Sequence, residues 1–233
     1  MNAYKSLFIV VNICLAASAA NAVGGFQNLD FESANIPPGT PVATFVPVSE
    51  AFPDWSAYFT TGGVNYPQTE VAYDGISTGG NVISLVDDNV GYGFGPIQGN
   101  YSAFLFGGLG SDGNVYSASI SQAGVIPVGT QTLTMEAWEY DCSPIVAING
   151  QPINMIPLET ISFYTVYGGS IPSSDVGPPV TLSFTDPSAS PGMFELDDIA
   201  FSQTVLSPEP NIAALTAIGG LLFGARKWFA RRG

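Results

Sequence analysis

The sequence lacks positive charge almost everywhere. Its five basic residues are Lys5 near the start and four residues at the end, so no Lys or Arg lies between Ser6 and Ala225, and the chain contains no His. Nucleic acids and phosphorylated ligands are held mainly by Lys and Arg side chains. Ser-His-Asp triads and histidine-bound zinc both need His. The body of the chain is therefore expected to bind no nucleic acid and to perform no histidine-based chemistry.

Carboxylates are plentiful by contrast. Of the 19 acidic residues, only Glu209 follows Ser207, and the net charge of the whole chain is −14. Without Lys or Arg nearby, a buried carboxylate must accept backbone hydrogen bonds, stay solvated or bind a metal ion. Calcium prefers oxygen ligands, so it is the natural candidate for a bound cation.

Cysteine is also scarce, with only Cys14 and Cys142 in the chain. Cys14 lies within the N-terminal leader described next, so the mature protein is expected to carry one thiol and no internal disulfide. Cys142 is interpreted as an inert residue near a strand end, and an intermolecular bridge is the alternative.

The N-terminal 22 residues have the form of a secretory signal peptide. Lys5 provides the basic start, Leu7 to Ala17 is apolar except for Asn12, and Ala20-Asn21-Ala22 supplies small residues at a cleavage site. We therefore expect export and cleavage by signal peptidase after Ala22. A retained membrane anchor is the alternative, although the apolar run is too short to span a bilayer comfortably.

The C-terminal segment 207–233 has three consecutive parts. Pro208-Glu209-Pro210 is followed by an apolar stretch from Asn211 to Ala225. A basic cluster then closes the chain: Arg226, Lys227, Arg231 and Arg232. As a helix the apolar stretch would be about 22 Å long, which is shorter than an ordinary span. We expect a short transmembrane segment over 211–225 with its basic end on the cytoplasmic side.

This arrangement resembles the PEP-CTERM sorting signal that exosortases recognise. The resemblance implies transient passage through the inner membrane of a Gram-negative bacterium, processing near Pro208-Glu209-Pro210, and delivery to the cell surface or the extracellular space. Proteins of this class are associated with exopolysaccharide and biofilm matrix. Ser207 stands where Val is often found. A plain tail anchor, which would have a similar sequence, is the alternative.

The body, residues 23–206, reads as a series of β-strands. Short apolar segments are separated by Gly, Pro, Ser and Thr, and helical periodicity is hard to find. The clearest strand runs from Thr130 to Tyr140, with Leu133, Met135 and Ala137 on one side. Asn149-Gly150 predicts a hairpin between strands at 145–148 and 153–156. Further strands are predicted at 82–86, 101–106, 115–120, 161–167, 180–184 and 194–201. The pattern predicts an all-β fold in one domain, a single jelly-roll-type β-sandwich.

Three short motifs frame the body: Asn28-Leu29-Asp30-Phe31-Glu32, Phe52-Pro53-Asp54-Trp55 and Leu196-Asp197-Asp198-Ile199-Ala200-Phe201. They resemble the galactose-binding-like jelly rolls, which include many carbohydrate-binding modules. The resemblance implies that the first and last strands meet and that a structural Ca²⁺ lies between them. Glu32 and Asp198 are then the first ligand candidates, followed by Asp197 and Asp30. The alternative is that these carboxylates accept hydrogen bonds from backbone amides.

A polysaccharide ligand would need an aromatic platform flanked by polar groups. Trp138, Tyr140 and Glu136 share one face of the predicted strand, and Trp55 lies in a loop-rich stretch that could join them. The alternative is that Trp138 belongs to the core.

We predict no catalytic residues. The hydrolytic chemistry open to this composition is a carboxylate pair such as Glu139 and Asp141, and that spacing is unremarkable among so many acidic residues. The sequence thus predicts a sorted surface or matrix protein with a structural or adhesive role. A calcium-containing carbohydrate-binding module is the alternative, and a carboxylate-based glycoside hydrolase is a third hypothesis.

Overall fold

The computed structural model describes residues 24–75, 80–88, 95–187 and 192–206. The expected signal peptide, sorting motif, membrane segment and basic cluster all lie outside these residues. Within them, no helix is both long enough and apolar enough to cross a membrane.

The described residues are almost entirely β-structure. One short helix, α1 (Val48–Ala51), and a 3-10 turn at Ser173–Asp175 accompany the strands. The strands, in chain order, are β1 (Thr44–Pro47), β2 (Ser56–Thr61), β3 (Val64–Pro67), β4 (Glu70–Tyr73), β5 (Val82–Val86), β6 (Ser102–Phe106), β7 (Gly108–Leu109), β8 (Val115–Val125), β9 (Thr132–Tyr140), β10 (Ile145–Ile148), β11 (Gln151–Pro152), β12 (Met155–Ile161), β13 (Tyr164–Ser170), β14 (Pro179–Asp186) and β15 (Met193–Ser202).

These strands form two sheets in a sandwich-like arrangement. The larger sheet has the order β1-β4-β5-β6-β15-β9-β13-β12, and the smaller has the order β11-β10-β14-β8-β2-β3, with β7 paired to β8. Among the described strand pairs, only β4 and β5 run parallel. The prediction of an all-β sandwich is confirmed at this level.

The main core lies between the two sheets. Leu133, Met135 and Ala137 of β9 are buried there, as their alternation predicted. Leu182 and Phe184 of β14 reach the same core from the smaller sheet. We call the side of the larger sheet that faces this core its inner face and the opposite side its outer face.

The outer face of the larger sheet is also partly covered. A second apolar cluster lies on it, formed by Ala72, Val82, Val86, Phe104 and Phe106, with Trp138 and Met193 packed against it. Both faces of β5 and β6 are consequently buried. These central strands therefore read as continuous apolar runs rather than as alternating ones.

Two predicted strands differ from the observed ones. Asn149 and Gly150 have φ values of 51° and 75°, as a type I′ turn requires. The returning strand, however, contains only Gln151 and Pro152, and Met155 already begins β12 in the other sheet. The single strand predicted at 161–167 is wrong, because the chain reverses at Ser162, which has a φ of 56°.

Candidate functional site

The four candidate calcium ligands line one cavity. Asp30, Glu32, Asp197 and Asp198, together with Gln98 and Gly99, surround an open space of about 180 Å³. The early segment is held beside the last strand because the Ile199 N–H donates to the Leu29 carbonyl, at 3.0 Å. The register of β15 shifts between Asp197 and Ala200, and this bulge gives Asp198 a φ of 44°. Asp197 is consequently buried, whereas Asp198 is exposed.

Glu32 fixes one end of the loop between Gly95 and Tyr101. Its Oε1 accepts hydrogen bonds from the backbone N–H groups of Asn100 (2.6 Å) and Tyr101 (3.0 Å). Its Oε2 accepts one from the Asn100 side-chain amide at 2.6 Å. These donors lower the pKa of the Glu32 carboxyl below its ordinary value, although its partial burial acts in the opposite direction.

Asp197 fixes the other end of the loop. Its Oδ2 accepts from the Gln98 N–H at 3.0 Å and from the Ser102 hydroxyl at 3.1 Å, and its Oδ1 accepts from the Asp198 N–H at 2.7 Å. Burial nevertheless raises the pKa of Asp197 to about 7. Both of these carboxylates therefore have the backbone-amide role that was the sequence-based alternative to metal binding.

The cavity is therefore only a partial fit to calcium. Within the described ranges, no group of three or more Asp, Glu or Cys side chains is placed to hold a metal ion. Oε1 of Glu32 and Oδ2 of Asp197 each accept two hydrogen bonds already. Asp30 and Asp198 are exposed, so the free oxygen atoms for a cation would come mainly from them. The calcium site stays a prediction.

Glu136, one member of the expected aromatic platform, lies beneath the loop. It is buried on the outer face of β9, opposite Asp197 in the ladder. The Gln98 side-chain amide reaches both of its oxygen atoms at 2.7 Å, and the Tyr164 hydroxyl also hydrogen-bonds to it. Glu136 is therefore a structural acceptor and is not open to a ligand.

Trp138 and Tyr140 do form a platform. Their ring centroids are 6.5 Å apart and their planes differ by 15°. Tyr140 is 61% exposed, whereas Trp138 is half-buried because it packs against the outer apolar cluster. The exposed ring of Tyr140 offers an apolar surface of the kind that the CH face of a sugar can contact.

Trp55 does not belong to this platform, which corrects the sequence-based expectation. It is 5% exposed and contacts Phe31 and Phe184, with centroid distances of 5.7 and 6.0 Å. Its indole N–H donates to the Asn28 carbonyl at 2.9 Å. Trp55 directly precedes β2 of the smaller sheet and its ring lies in the main core, so it is not available at the surface.

Three buried carboxyls, Glu195, Asp186 and Asp74, lie outside the motifs that the sequence analysis singled out. Glu195, Asp186 and Asp74 each retain a buried oxygen atom without a hydrogen-bond partner, and Asp197 lies close to Glu195. Burial raises the pKa of Glu195 to about 8, that of Asp74 to about 7 and that of Asp186 to about 6. Asp74 also hydrogen-bonds to Asp87, which raises its pKa further and links two carboxyls at the ends of the parallel pair β4–β5.

Strand alternation does not align the carboxylate pair considered for hydrolysis, Glu139 and Asp141. Strand β9 ends at Tyr140, and Asp141 has a φ of 50°, so the alternation that would align it with Glu139 does not extend to it. Glu139 hydrogen-bonds to Tyr167, and burial raises its pKa. Cys142 is half-buried beside these groups, and burial raises its pKa to about 12, which favours the inert thiol.

No known protein family matches the chain, and no curated protein matches it either. Among solved structures it is similar to the enzymatically active domain of bacteriophage CBA120 tailspike protein 4, with a TM-score of 0.40, 10% identity, and coverage of 77% of this chain and 21% of that one. It is also similar to a β-glucosidase from Kluyveromyces marxianus, with a TM-score of 0.29, 12% identity, and coverage of 78% and 19%. The chain thus spans about a fifth of either protein. Likenesses this distant carry no argument about its function.

Proposed function

We propose that the chain is an exported, exosortase-sorted protein of the cell surface or extracellular matrix, with a structural or adhesive role in the envelope or exopolysaccharide layer. The observation that supports this most is where the fold ends. The last strand of the described residues is β15 in the larger sheet, which ends at Ser202, and Pro208-Glu209-Pro210 follows within a few residues of the sequence. A protease that cuts at this motif would leave every described strand in the body.

A structural role of this kind does not depend on a bound ligand. Two packed sheets with a large core bury enough apolar surface to fold without a cofactor. A jelly-roll topology of the galactose-binding-like type remains part of the proposal. It is supported by the contact between the early segment at Leu29 and the last strand at Ile199.

Intact mass and location test the sorting route. In cells with an active exosortase we expect a mature body that starts at Val23, ends near Pro208 and is found outside the inner membrane. In cells without the enzyme we expect the full tail and retention in the inner membrane. A matched variant, Glu209→Gln, should behave like the enzyme-deficient strain, and Glu159→Gln in the body should be sorted normally. A full-length tail in both strains would contradict the sorting proposal, and the C-terminal segment would then be a plain tail anchor.

A second function, carbohydrate binding, is favoured by one specific observation, the parallel rings of Trp138 and Tyr140. Replacement of Tyr140 by Ala should weaken binding to an exopolysaccharide about fivefold or more, since an aromatic contact contributes about 1 kcal/mol or more. Phe45→Ala is the matched control, because Phe45 is 69% exposed on β1, at the far edge of the same sheet. Binding measured on a glycan array should fall only in the first variant. Equal binding by both variants would show that the Trp138–Tyr140 platform does not bind the polysaccharide.

A further inference from the structure

The hairpin formed by β12 and β13 presents apolar side chains that the described residues leave largely exposed. Ile156, Leu158, Ile161 and Phe163 are all exposed there. Between Met155 and Ser170 the only charged residue is Glu159. In a body that carries many carboxylates and no Lys or Arg, this hairpin is a nearly uncharged surface at one edge of the larger sheet.

The chain leaves the described fold across this same surface. The Thr132 hydroxyl donates to the Thr204 carbonyl at 3.1 Å, which directs the chain over the outer face beyond the end of β15. A Cβ atom on Gly168 would lie 2.8 Å from both Leu158 Cδ1 and Leu206 Cδ2. Leu206 therefore packs on Gly168 beside Leu158, and Val205 next to it is exposed.

Only four residues, 207–210, separate Leu206 from the apolar stretch that begins at Asn211. Fully extended, the chain from residue 206 to residue 211 covers at most about 17 Å. If segment 211–225 is inserted in a bilayer, the outer face of the β12–β13 hairpin is held within that distance of the lipid headgroups.

We infer that the β12–β13 hairpin is a membrane-contact surface, on which the body rests against the lipid while its C-terminal segment is inserted. This inference depends on the membrane step of the proposed function. The nearly uncharged β12–β13 hairpin lies beside Leu206, where the chain leaves the described fold, whereas the carboxylates elsewhere on the body are repelled by anionic headgroups. Exposed Ile, Leu and Phe side chains gain free energy by entering the boundary between headgroups and acyl chains.

A second copy of the chain is a less suitable occupant. β12 is an edge strand, but Pro157 lacks an N–H group and the register shifts between Pro157 and Glu159. A proline and a bulge are the features by which edge strands avoid pairing with another sheet.

An environment-sensitive fluorophore attached to the full chain tests the contact. Cys14 and Cys142 are first replaced by Ser. The fluorophore is then attached to a new cysteine introduced by Phe163→Cys. In the matched control it is attached to a cysteine introduced by Val64→Cys. Phe163 is 52% exposed and Val64 is 53% exposed, but Val64 lies on β3, at the edge of the other sheet. With phosphatidylcholine vesicles we expect a blue shift and quenching by doxyl-labelled lipid at position 163 and neither effect at position 64.

Flotation of the labelled chain with the vesicles after alkaline carbonate washing reports tail insertion separately. If the chain floats and the label at 163 is not quenched, the hairpin inference is overturned while the membrane step of the proposed function stands. If the chain does not float, the membrane step fails and the inference fails with it. A label at 163 that is already protected without vesicles overturns the inference as well. In that case a further experiment identifies what covers the hairpin. If deletion of residues 207–233 exposes the label again, the hairpin is covered by the chain's own tail. If dilution exposes it, the hairpin is covered by a second copy of the chain.

Discussion

Raising the pH from about 5 to about 9 is expected to lower the free energy of unfolding by on the order of 10 kcal/mol, which is comparable to the whole stability of an ordinary domain. The cause is the set of buried carboxyls whose pKa values are raised to about 6 for Asp186, about 7 for Asp74 and Asp197, and about 8 for Glu195. In the unfolded chain such groups titrate near pH 4. Between these values the folded state holds more protons than the unfolded state.

The sign of the effect follows from that difference. A carboxyl with a raised pKa contributes most below its unfolded pKa, near 4, and its contribution is lost as the pH rises to its folded pKa. The loss is about 1.4 kcal/mol for each pH unit and each group within that window. Glu32 acts in the opposite direction, because its pKa is lowered and its contribution is lost only as the solution becomes strongly acidic. We therefore expect maximum stability near pH 4, measured by urea unfolding in a chelating buffer.

Glu195→Gln isolates one of these groups. Glu195 is buried between neighbouring strands and one of its oxygen atoms has no hydrogen-bond partner, so the charged form is poorly compensated. Gln keeps a hydrogen-bonding side chain beside Ser102 and removes the titration. The variant should be about 1–3 kcal/mol more stable than the natural chain near pH 9 and should show a shallower pH dependence. Glu70→Gln is the control, since Glu70 is exposed. An unchanged slope in the Glu195 variant would contradict the explanation.

The burial of Glu195 also shows where sequence-based prediction reaches its limit. Phe194 and Leu196 alternate along β15 and are buried in the core on the inner face. The same alternation puts Glu195 on the outer face, which in a simple two-sheet sandwich is solvent. The outer face here is covered by a second apolar cluster and by the loop that carries Ile97 and Gln98, and no local pattern in the sequence reports that covering.

The hairpin between β12 and β13 illustrates a second limit. Ile161-Ser162-Phe163-Tyr164 contains no Gly, Pro, Asn or Asp, and its Ser162 is only a weak turn signal. Asn149-Gly150, by contrast, carried that signal, and the reversal there was predicted correctly.

The cavity was partly predictable for a different reason. Its four acidic residues stand in two motifs that a resemblance already associated with each other, and the structure brings all four together. The loop that bonds to them was not predictable. Glu32 and Tyr101 are 69 positions apart, and Gln98 and Asp197 are 99 apart, so their hydrogen bonds depend on tertiary contacts alone.

Asp197→Asn is expected to destabilise the protein by about 2 kcal/mol near neutral pH. Asp197 is buried and accepts from the Gln98 N–H, the Ser102 hydroxyl and the Asp198 N–H. An Asn side chain has one acceptor oxygen, so its amide group must face one of these donors, and an unsatisfied buried donor costs about 1–3 kcal/mol. Asp198→Asn is the matched control, because Asp198 is exposed, lines the same cavity and has a backbone conformation that Asn tolerates.

Repeating both measurements with and without calcium separates the two roles considered for these carboxylates. If Asp197 only holds the loop, its variant loses the same stability in either buffer, and calcium shifts the melting temperature of neither the natural chain nor the Asp198 variant. If the cavity binds calcium, the cation stabilises the natural chain, and Asp198→Asn removes most of that gain while leaving the calcium-free stability nearly unchanged. Asp30 and Asp198 provide the free oxygen atoms in the cavity, so the response of the Asp198 variant to calcium decides between a structural loop anchor and a metal centre.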